Sequence, residues 1–265
     1  MASEKTVVIQ YLFDQHWDVA AQRLTKTVMS LSDVRDAIRH CKATHQIALS
    51  ELNPANFMKD IVRGIGASGM WPAKVAALRY TGVQRTGGGD VFEFVPYLPG
   101  QQEPFPDIFK PTPATPRHKV QSLSMPMSSK ALGRSDEAWH TQIAVGLRVV
   151  ETHFALNSKV PIAEITHLQM SVKLRKTEID SLYLAICKDG SKAIITCEAK
   201  KEDQRLLEHQ IIYQMQAALE VTDADLVIGI GLRAVNNVGF YIVEFEPVYR
   251  KTSGALSALK VGTCQ

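Results

Sequence analysis

Between residues 96 and 133 the chain carries Pro99, Pro104, Pro106, Pro111, Pro113, Pro116 and Pro126, with Ser122, Ser124, Ser128 and Ser129 interleaved. Each proline fixes its own φ and removes a backbone donor, so neither a helix nor a central strand can run through such a stretch. The chain is therefore read as two domains, residues 1–98 and residues 134–265. Residues 99–133 between them form a linker, or an arm laid over the surface. With 265 residues, 45% hydrophobic and 22% charged, the chain is long enough to bury a sizeable core without staples. That excludes disordered, collagen-like and disulfide-scaffold classes.

The four cysteines, Cys41, Cys187, Cys197 and Cys264, form no C-x-x-C pair, which argues against a zinc knuckle or a redox motif. Reduced thiols in a reducing compartment are the simplest reading. No apolar run approaches the roughly 18 residues that span a bilayer, and the first residues lack the layout of a signal peptide. The expectation is a cytoplasmic protein without a membrane partner. Net charge is +3, but residues 1–135 carry 16 Lys/Arg against 11 Asp/Glu and the remainder is slightly acidic. A basic first half suits a polyanion; an acidic second half suits a nucleic-acid binder only if some carboxylates hold metal ions.

The first half reads as helices followed by a hairpin. Residues 7–17 and 34–47 have helical patterns, the second with Ser32 or Asp33 available as a cap. Asn53-Pro54 opens a third helix, running through Phe57, Ile61 and Val62 to a stop near Gly64. Residues 77–85 and 91–97 then read as strands joined by the turn Thr86-Gly87-Gly88-Gly89-Asp90. This is the order of a winged helix, a DNA-binding variant of helix-turn-helix, although a small α+β domain with no nucleic-acid role fits it equally. Lys74, Arg79 and Arg85 around the hairpin are candidate phosphate contacts, or a solvated face.

The second half changes to a mixed sheet. Ser135-Asp136-Glu137 opens an amphipathic helix through Trp139, Ile143, Leu147, Val150 and Phe154. Strands follow over 162–174, 178–187 and 192–199, the last two joined by Lys188-Asp189-Gly190. A long helix over 203–220 and strands over 226–230 and 238–245 complete it. The segment Ala193-Ile194-Ile195-Thr196-Cys197 is apolar on both faces and so belongs in the middle of the sheet.

That buried strand ends in Glu198-Ala199-Lys200. With a period of two, Glu198 and Lys200 point to one side and Ala199 to the other. Two charges at the end of an apolar strand are costly unless paired or bound to a metal. A hairpin between this strand and its predecessor brings Asp180 beside Glu198. Two adjacent carboxylates repel, and a divalent cation is the usual remedy. Lys200 beside them can orient a water or stabilise developing charge.

Asp180, a gap, and Glu198-x-Lys200, set in the order helix–strand–strand–strand–helix–strand, resemble the PD-(D/E)xK nuclease superfamily, which includes many type II restriction endonucleases. The resemblance covers roughly residues 136–246 and leaves the first half outside. Ile179 stands where the motif's name has proline, a position that is not a ligand. A bare acidic-x-Lys triplet arises by chance about once in a chain of this size. The buried strand before it and the aspartate one hairpin away give it weight.

The resemblance implies an α/β (α+β) fold with a restriction-endonuclease-like αβββαβ core. It implies a Mg²⁺-dependent, sequence-specific endonuclease that hydrolyses double-stranded DNA as a homodimer, with no nucleotide cofactor. Asp180 and Glu198 would hold Mg²⁺, or Mn²⁺ in its place, and Lys200 would position the attacking water. Family members often add an acid from the first core helix. Glu137, in its first turn, resembles that placement better than Glu151 in its last. They also often use a glutamine from the helix after the lysine, here Gln210 in preference to Gln214, four residues on. A structure-selective repair or junction-resolving nuclease, or a non-catalytic DNA-binding regulator on the same fold, are the alternatives. His140, His153, His167 and His209 have no zinc spacing among them.

Overall fold

The chain divides inside the proline-rich stretch. The structure is a computed structural model describing residues 3–64, 66–85, 88–119, 137–174, 177–235 and 238–250. It falls into two compact units, Met1–Ile108 and Phe109–Gln265. Phe105 packs edge-on against Trp71 in the first unit, and Phe109 packs against Phe245 in the second. Residues 99–119 are thus apportioned between the two units, each part anchored by a buried phenylalanine. Residues 120–133 of the expected arm, the Ser135-Asp136 helix start, part of the glycine turn (Thr86 and Gly87) and Cys264 lie outside the described residues.

The first unit begins with α1 (Glu4–His16), short strands β1 (Trp17–Asp18), β2 (Arg23–Leu24) and β3 (Val28–Ser30), and α2 (Leu31–His45). Ser30, not Ser32 or Asp33, caps α2. Its hydroxyl accepts from the Asp33 N–H at 3.2 Å and the Asp33 carboxylate accepts from the Ser30 N–H at 2.7 Å, a capping box. The helix expected from Asn53 is only a 3₁₀ turn at Pro54–Asn56. Three short helices follow it, α3 (Lys59–Arg63), α4 (Ala67–Met70) and α5 (Ala73–Ala77). Gly64, Gly66 and Pro72 fall between these pieces and interrupt any longer helix. Strands β4 (Tyr80–Gln84) and β5 (Asp90–Pro96) close an antiparallel sheet in the order β3-β5-β4. Its core is aromatic, with Phe13 and Phe92 each meeting Phe94 edge to face.

In the second unit the expected single helix is two, α6 (Glu137–Gly146) and α7 (Val149–Leu156). Arg148 breaks it by adopting a left-handed φ of +54°, which ends one helix and starts the next. Then come β6 (Ile162–Lys173), β7 (Glu178–Cys187), β8 (Lys192–Lys200), α8 (Glu208–Val221), β9 (Leu226–Val235), β10 (Gly239–Glu244) and β11 (Val248–Tyr249). The turn between β7 and β8 contains Gly190 at φ +86°, a conformation side chains resist. The sheet order is β10-β9-β8-β7-β6, with β11 also on β9. β8 and β9 are parallel and the other pairs antiparallel. A parallel pair needs a crossover, which α8 supplies.

This crossover explains why β8 and β9 are apolar on both faces. Ala193, Ile195, Cys197 and Ala199, with Leu226, Ile228, Ile230 and Leu232, face α6 and α7. Ile194 and Val227 lie with Ile211, Met215, Ala218 and Leu219 of α8 on the other face. There β9 carries glycine, because a Cβ on Gly229 would stand 2.6 Å from both Ile211 and Met215, and one on Gly231 would stand 2.8 Å from Leu206. Among the described residues no helix is long and apolar enough to cross a membrane.

Candidate active site

The face of β8 under α8 is apolar at Ile194 and then turns polar at Thr196, Glu198 and Lys200. Lys200 Nζ donates to Glu198 Oε1, and Gln214 Nε2, from the second turn of α8, donates to Glu198 Oε2. The same Gln214 amide reaches the Glu178 carbonyl at 2.8 Å, so it ties the end of β8 to the start of β7. Glu198, Lys200 and Gln214 are only 5, 2 and 1% exposed. Both oxygens of this deep carboxylate meet donors, one of them cationic, as a buried carboxylate requires. Gln214 Oε1 is different: it is buried and has no hydrogen-bond partner among the described residues.

Asp180 arrives from β7 where the ladder stops. Cross-strand pairs between β7 and β8 run from Ile186–Lys192 to Ser181–Cys197. Beyond them, Asp180 Oδ2 accepts the Ala199 N–H at 2.7 Å. A backbone donor aimed at β7 therefore meets a side-chain oxygen, which fixes the Asp180 carboxylate between Glu198 and Lys200 in sequence. Asp180 remains partly exposed. Burial raises the pKa of the intervening Cys197 thiol, and the negative charges of Asp180 and Glu198 raise it further. That thiol is protonated and inert.

The structure thus brings Asp180, Glu198 and Lys200 to one end of the β7–β8 hairpin. Among the described residues no group of three or more His, Cys, Asp or Glu gathers as a ready-made metal cage. Magnesium does not demand one: it is commonly held by one or two carboxylates and completes its shell with water and phosphate oxygens. Two carboxylates, with an unsatisfied amide oxygen beside one of them, fit a hydrated hard cation.

Of the two candidate glutamines, Gln214 is the one whose amide is seen on Glu198; Gln210, one turn earlier, is only partly buried. Glu137 starts α6, but its side chain lies outside the described residues. Glu151, on α7, lies against the opposite face of the sheet. There its charge bears on Tyr183 and on His167, whose Nε2 is 3.1 Å from Ser181 Oγ. Burial lowers the His167 pKa and Glu151 opposes that shift. Glu151 Oε2 is buried with no hydrogen-bond partner among the described residues.

In the first unit the three candidate phosphate contacts are all engaged internally. Lys74 Nζ pairs with Asp14 at 2.7 Å, Arg85 pairs with Glu93, and Arg79 donates to the Gln101 carbonyl at 2.6 Å while covering the Tyr97 ring. Both ion pairs are solvent-accessible and so are weak enough to exchange for a phosphate.

Sequence reasoning passed over Arg233. Strand β9 runs beside β8 in parallel register, with Gly231 beside Glu198 and Arg233 beside Lys200. Arg233 is 4% exposed. The signal was available: an arginine two positions after Gly231, in phase with Glu198 and Lys200, at the end of an apolar strand. Comparison of the chain with protein families, with curated proteins and with solved structures finds no match.

Proposed function

We propose that the chain is a Mg²⁺-dependent endonuclease that cuts double-stranded DNA at specific sites, in the manner of a type II restriction enzyme. The observation that carries this reading is the convergence of Asp180, Glu198 and Lys200, with Asp180 fixed by the Ala199 N–H. The second unit has the order α6/α7, β6, β7, β8, α8, β9, which is the αβββαβ order of the PD-(D/E)xK core. The first unit has the winged-helix order, a three-stranded sheet of β3-β5-β4 with helices between β3 and β4. It would supply DNA contacts, Arg79, Arg85 and Lys74 among them, and a two-fold dimer would supply the second cut.

Asp180 and Glu198 would hold the metal. Mg²⁺ when bound lowers the pKa of a coordinated water and offsets charge on the phosphate. Glu198 now shares its oxygens between Lys200 and Gln214. Were Glu198 to hold the cation, Lys200 would be free to hold the attacking water. Gln214 keeps its second contact, on the Glu178 carbonyl, and so retains the spacing of the strands.

The burial of Glu198 and Lys200 favours one other reading, a DNA-binding regulator that keeps the core without chemistry, since a satisfied buried pair needs no substrate. A plasmid digest separates the two. With Mg²⁺ the nuclease gives discrete bands, excess EDTA abolishes them, and Asp180→Asn gives none while still shifting duplex DNA in a gel. Binding without cutting by the wild-type chain in Mg²⁺ and in Mn²⁺ would establish the regulator instead.

A further inference from the structure

Two oxygens under α8 are buried without a hydrogen-bond partner among the described residues, Gln214 Oε1 and Thr196 Oγ1. Thr196 is completely buried and Gln214 is 1% exposed. A hydroxyl or an amide oxygen kept dry and unpaired is costly, and buried polar groups as a rule find a partner. Valine would fill the place of Thr196 without that cost, as Ile194 does two residues earlier on the same face.

The two oxygens belong to one neighbourhood. Thr196 and Glu198 are two apart in β8, so they share the face that Gln214 covers. Thr196 pairs with Gly229 of β9, and Ile211 and Met215 of α8 lie over Gly229. Gln214 stands in that same turn of the helix. Its partners fix which end of the amide is which: Glu198 Oε2 and the Glu178 carbonyl only accept, so the NH₂ faces them and Oε1 is the other end. Glu178 and Glu198 lie where β7 and β8 stop pairing, whereas Thr196 is still inside the ladder, opposite Leu182. The two ends of an amide diverge, which turns Oε1 from the hairpin end back toward Thr196. One water spans two oxygens up to about 5.5 Å apart, accepting from the hydroxyl and donating to the amide oxygen.

We propose that Thr196 is a positioning residue of the candidate site: its hydroxyl and Gln214 Oε1 bind one buried water, and that water holds the amide with its NH₂ on Glu198. The positioning role rests on the nuclease reading; the water site does not. A carbonyl end pinned by the water keeps the amide from turning over and setting an oxygen against the carboxylate. Glu198 is thereby held in one orientation for the cation. Asp180 is the partly exposed member of the site, so a hydrated cation gathers on its side of Glu198. The buried water is a fixture behind the carboxylate and not part of the metal's shell.

The test uses the full chain. In its crystal structure a water should lie within about 3.2 Å of both oxygens. A direct bond between the two, or no water between them, overturns the proposal. In urea titration Thr196→Val lowers the midpoint, because Oε1 is left buried and unpaired. A hydroxyl without a partner gives the opposite sign, since valine then replaces a dry hydroxyl by a methyl. In the Gln214→Met background the same change no longer lowers the midpoint, because both positions are then apolar. A raised or unaltered midpoint for Thr196→Val alone, or an equal fall in both backgrounds, overturns the proposal. If Gln214→Met does not fold, the crystal structure and the single variant still decide. In plasmid cleavage with Mg²⁺, Thr196→Val lowers kcat about 10-fold with KM nearly unchanged, and Thr196→Ser, which keeps the hydroxyl, restores most of it. A kcat for Thr196→Val within twofold of wild type overturns the positioning role. If the wild-type chain does not cut, the nuclease reading fails by itself, and the water site stands or falls by the crystal structure and the titration.

Discussion

Replacing Gly229 by alanine tests how closely α8 is seated on the sheet. The new Cβ would stand 2.6 Å from Ile211 Cγ2 and from Met215 Sδ, and 3.1 Å from Met215 Cγ. Ordinary carbon contacts are about 3.5–4.0 Å, so roughly 1 Å must be found. Met215 is a flexible side chain and can yield, whereas Ile211 is β-branched, fully buried and stiff at χ1. The helix must therefore lift. Overpacking of this kind costs about 1–3 kcal/mol. At about 2–4 °C per kcal/mol for a chain of this size, that lowers the melting temperature by roughly 2–12 °C. Gly69→Ala is the matched control. Nothing lies within 4 Å of its added Cβ inside α4, so it should be neutral or stabilise by up to about 1 kcal/mol. Because Gln214 rides on α8, Gly229→Ala should also slow cleavage if the proposed nuclease function holds. Thermal melts by circular dichroism give the stabilities. A Gly229→Ala protein that melts with the wild type would show that α8 is not held against β9 as described.

Three further expectations follow from polar groups that are buried or partly buried. Lys200→Met should destabilise by about 3–5 kcal/mol, since Glu198 is left buried without its cation. The double variant with Glu198→Gln should recover most of that, and urea titration of the double-mutant cycle measures the coupling. Glu244→Ala should cost about 2–4 kcal/mol in the same titration, because it strands buried His153, now 2.7 Å away, and Ser158, at 2.9 Å. His167 has its folded pKa lowered from 6.5 by burial, so the unfolded chain takes up that proton first as pH falls. The stability His167 contributes is present above its unfolded value and is lost as pH drops through 6.5 toward the folded value. His167→Asn should flatten the decline between pH 7 and pH 5 relative to wild type; an unchanged slope would refute it. His16, whose pKa is also lowered by burial, continues to contribute in both proteins.

What the sequence made legible follows from where local pattern and tertiary structure agree. The run Ala193–Cys197 is apolar on both faces because two helical layers cover it, and that pattern alone located the middle of the sheet and its polar end. Asp180 was legible because a three-residue turn fixes the hairpin register. Other features depended on partners that pattern does not display. The break at Arg148 is carried by a left-handed residue that is neither glycine nor asparagine, so no turn signal marks it. Gln210 and Gln214 are equivalent by helical spacing; only the depth at which α8 sits on Gly229 and Gly231 selects Gln214. The cap of α2 was placed late because Ser30, Ser32 and Asp33 are all good caps, and the reciprocal bond between Ser30 and Asp33 decides among them. Arg233 was passed over because the strand expected over 226–230 stops three residues short of it, whereas β9 runs on to Val235.

The bond from the Ala199 N–H to Asp180 makes the candidate site a property of strand alignment. A side chain takes the place of a backbone acceptor there, so Asp180 can occupy it only if β7 and β8 are paired with Ser181 opposite Cys197. A slip by one residue would turn Glu198 and Lys200 toward α6 and α7, an apolar layer with no glutamine to receive them. Chains that pair wrongly would thus lack the site altogether rather than carry a weakened copy of it. In refolding, recovered activity would count correctly aligned molecules one by one, and the specific activity of the aligned fraction would stay constant while its amount grew.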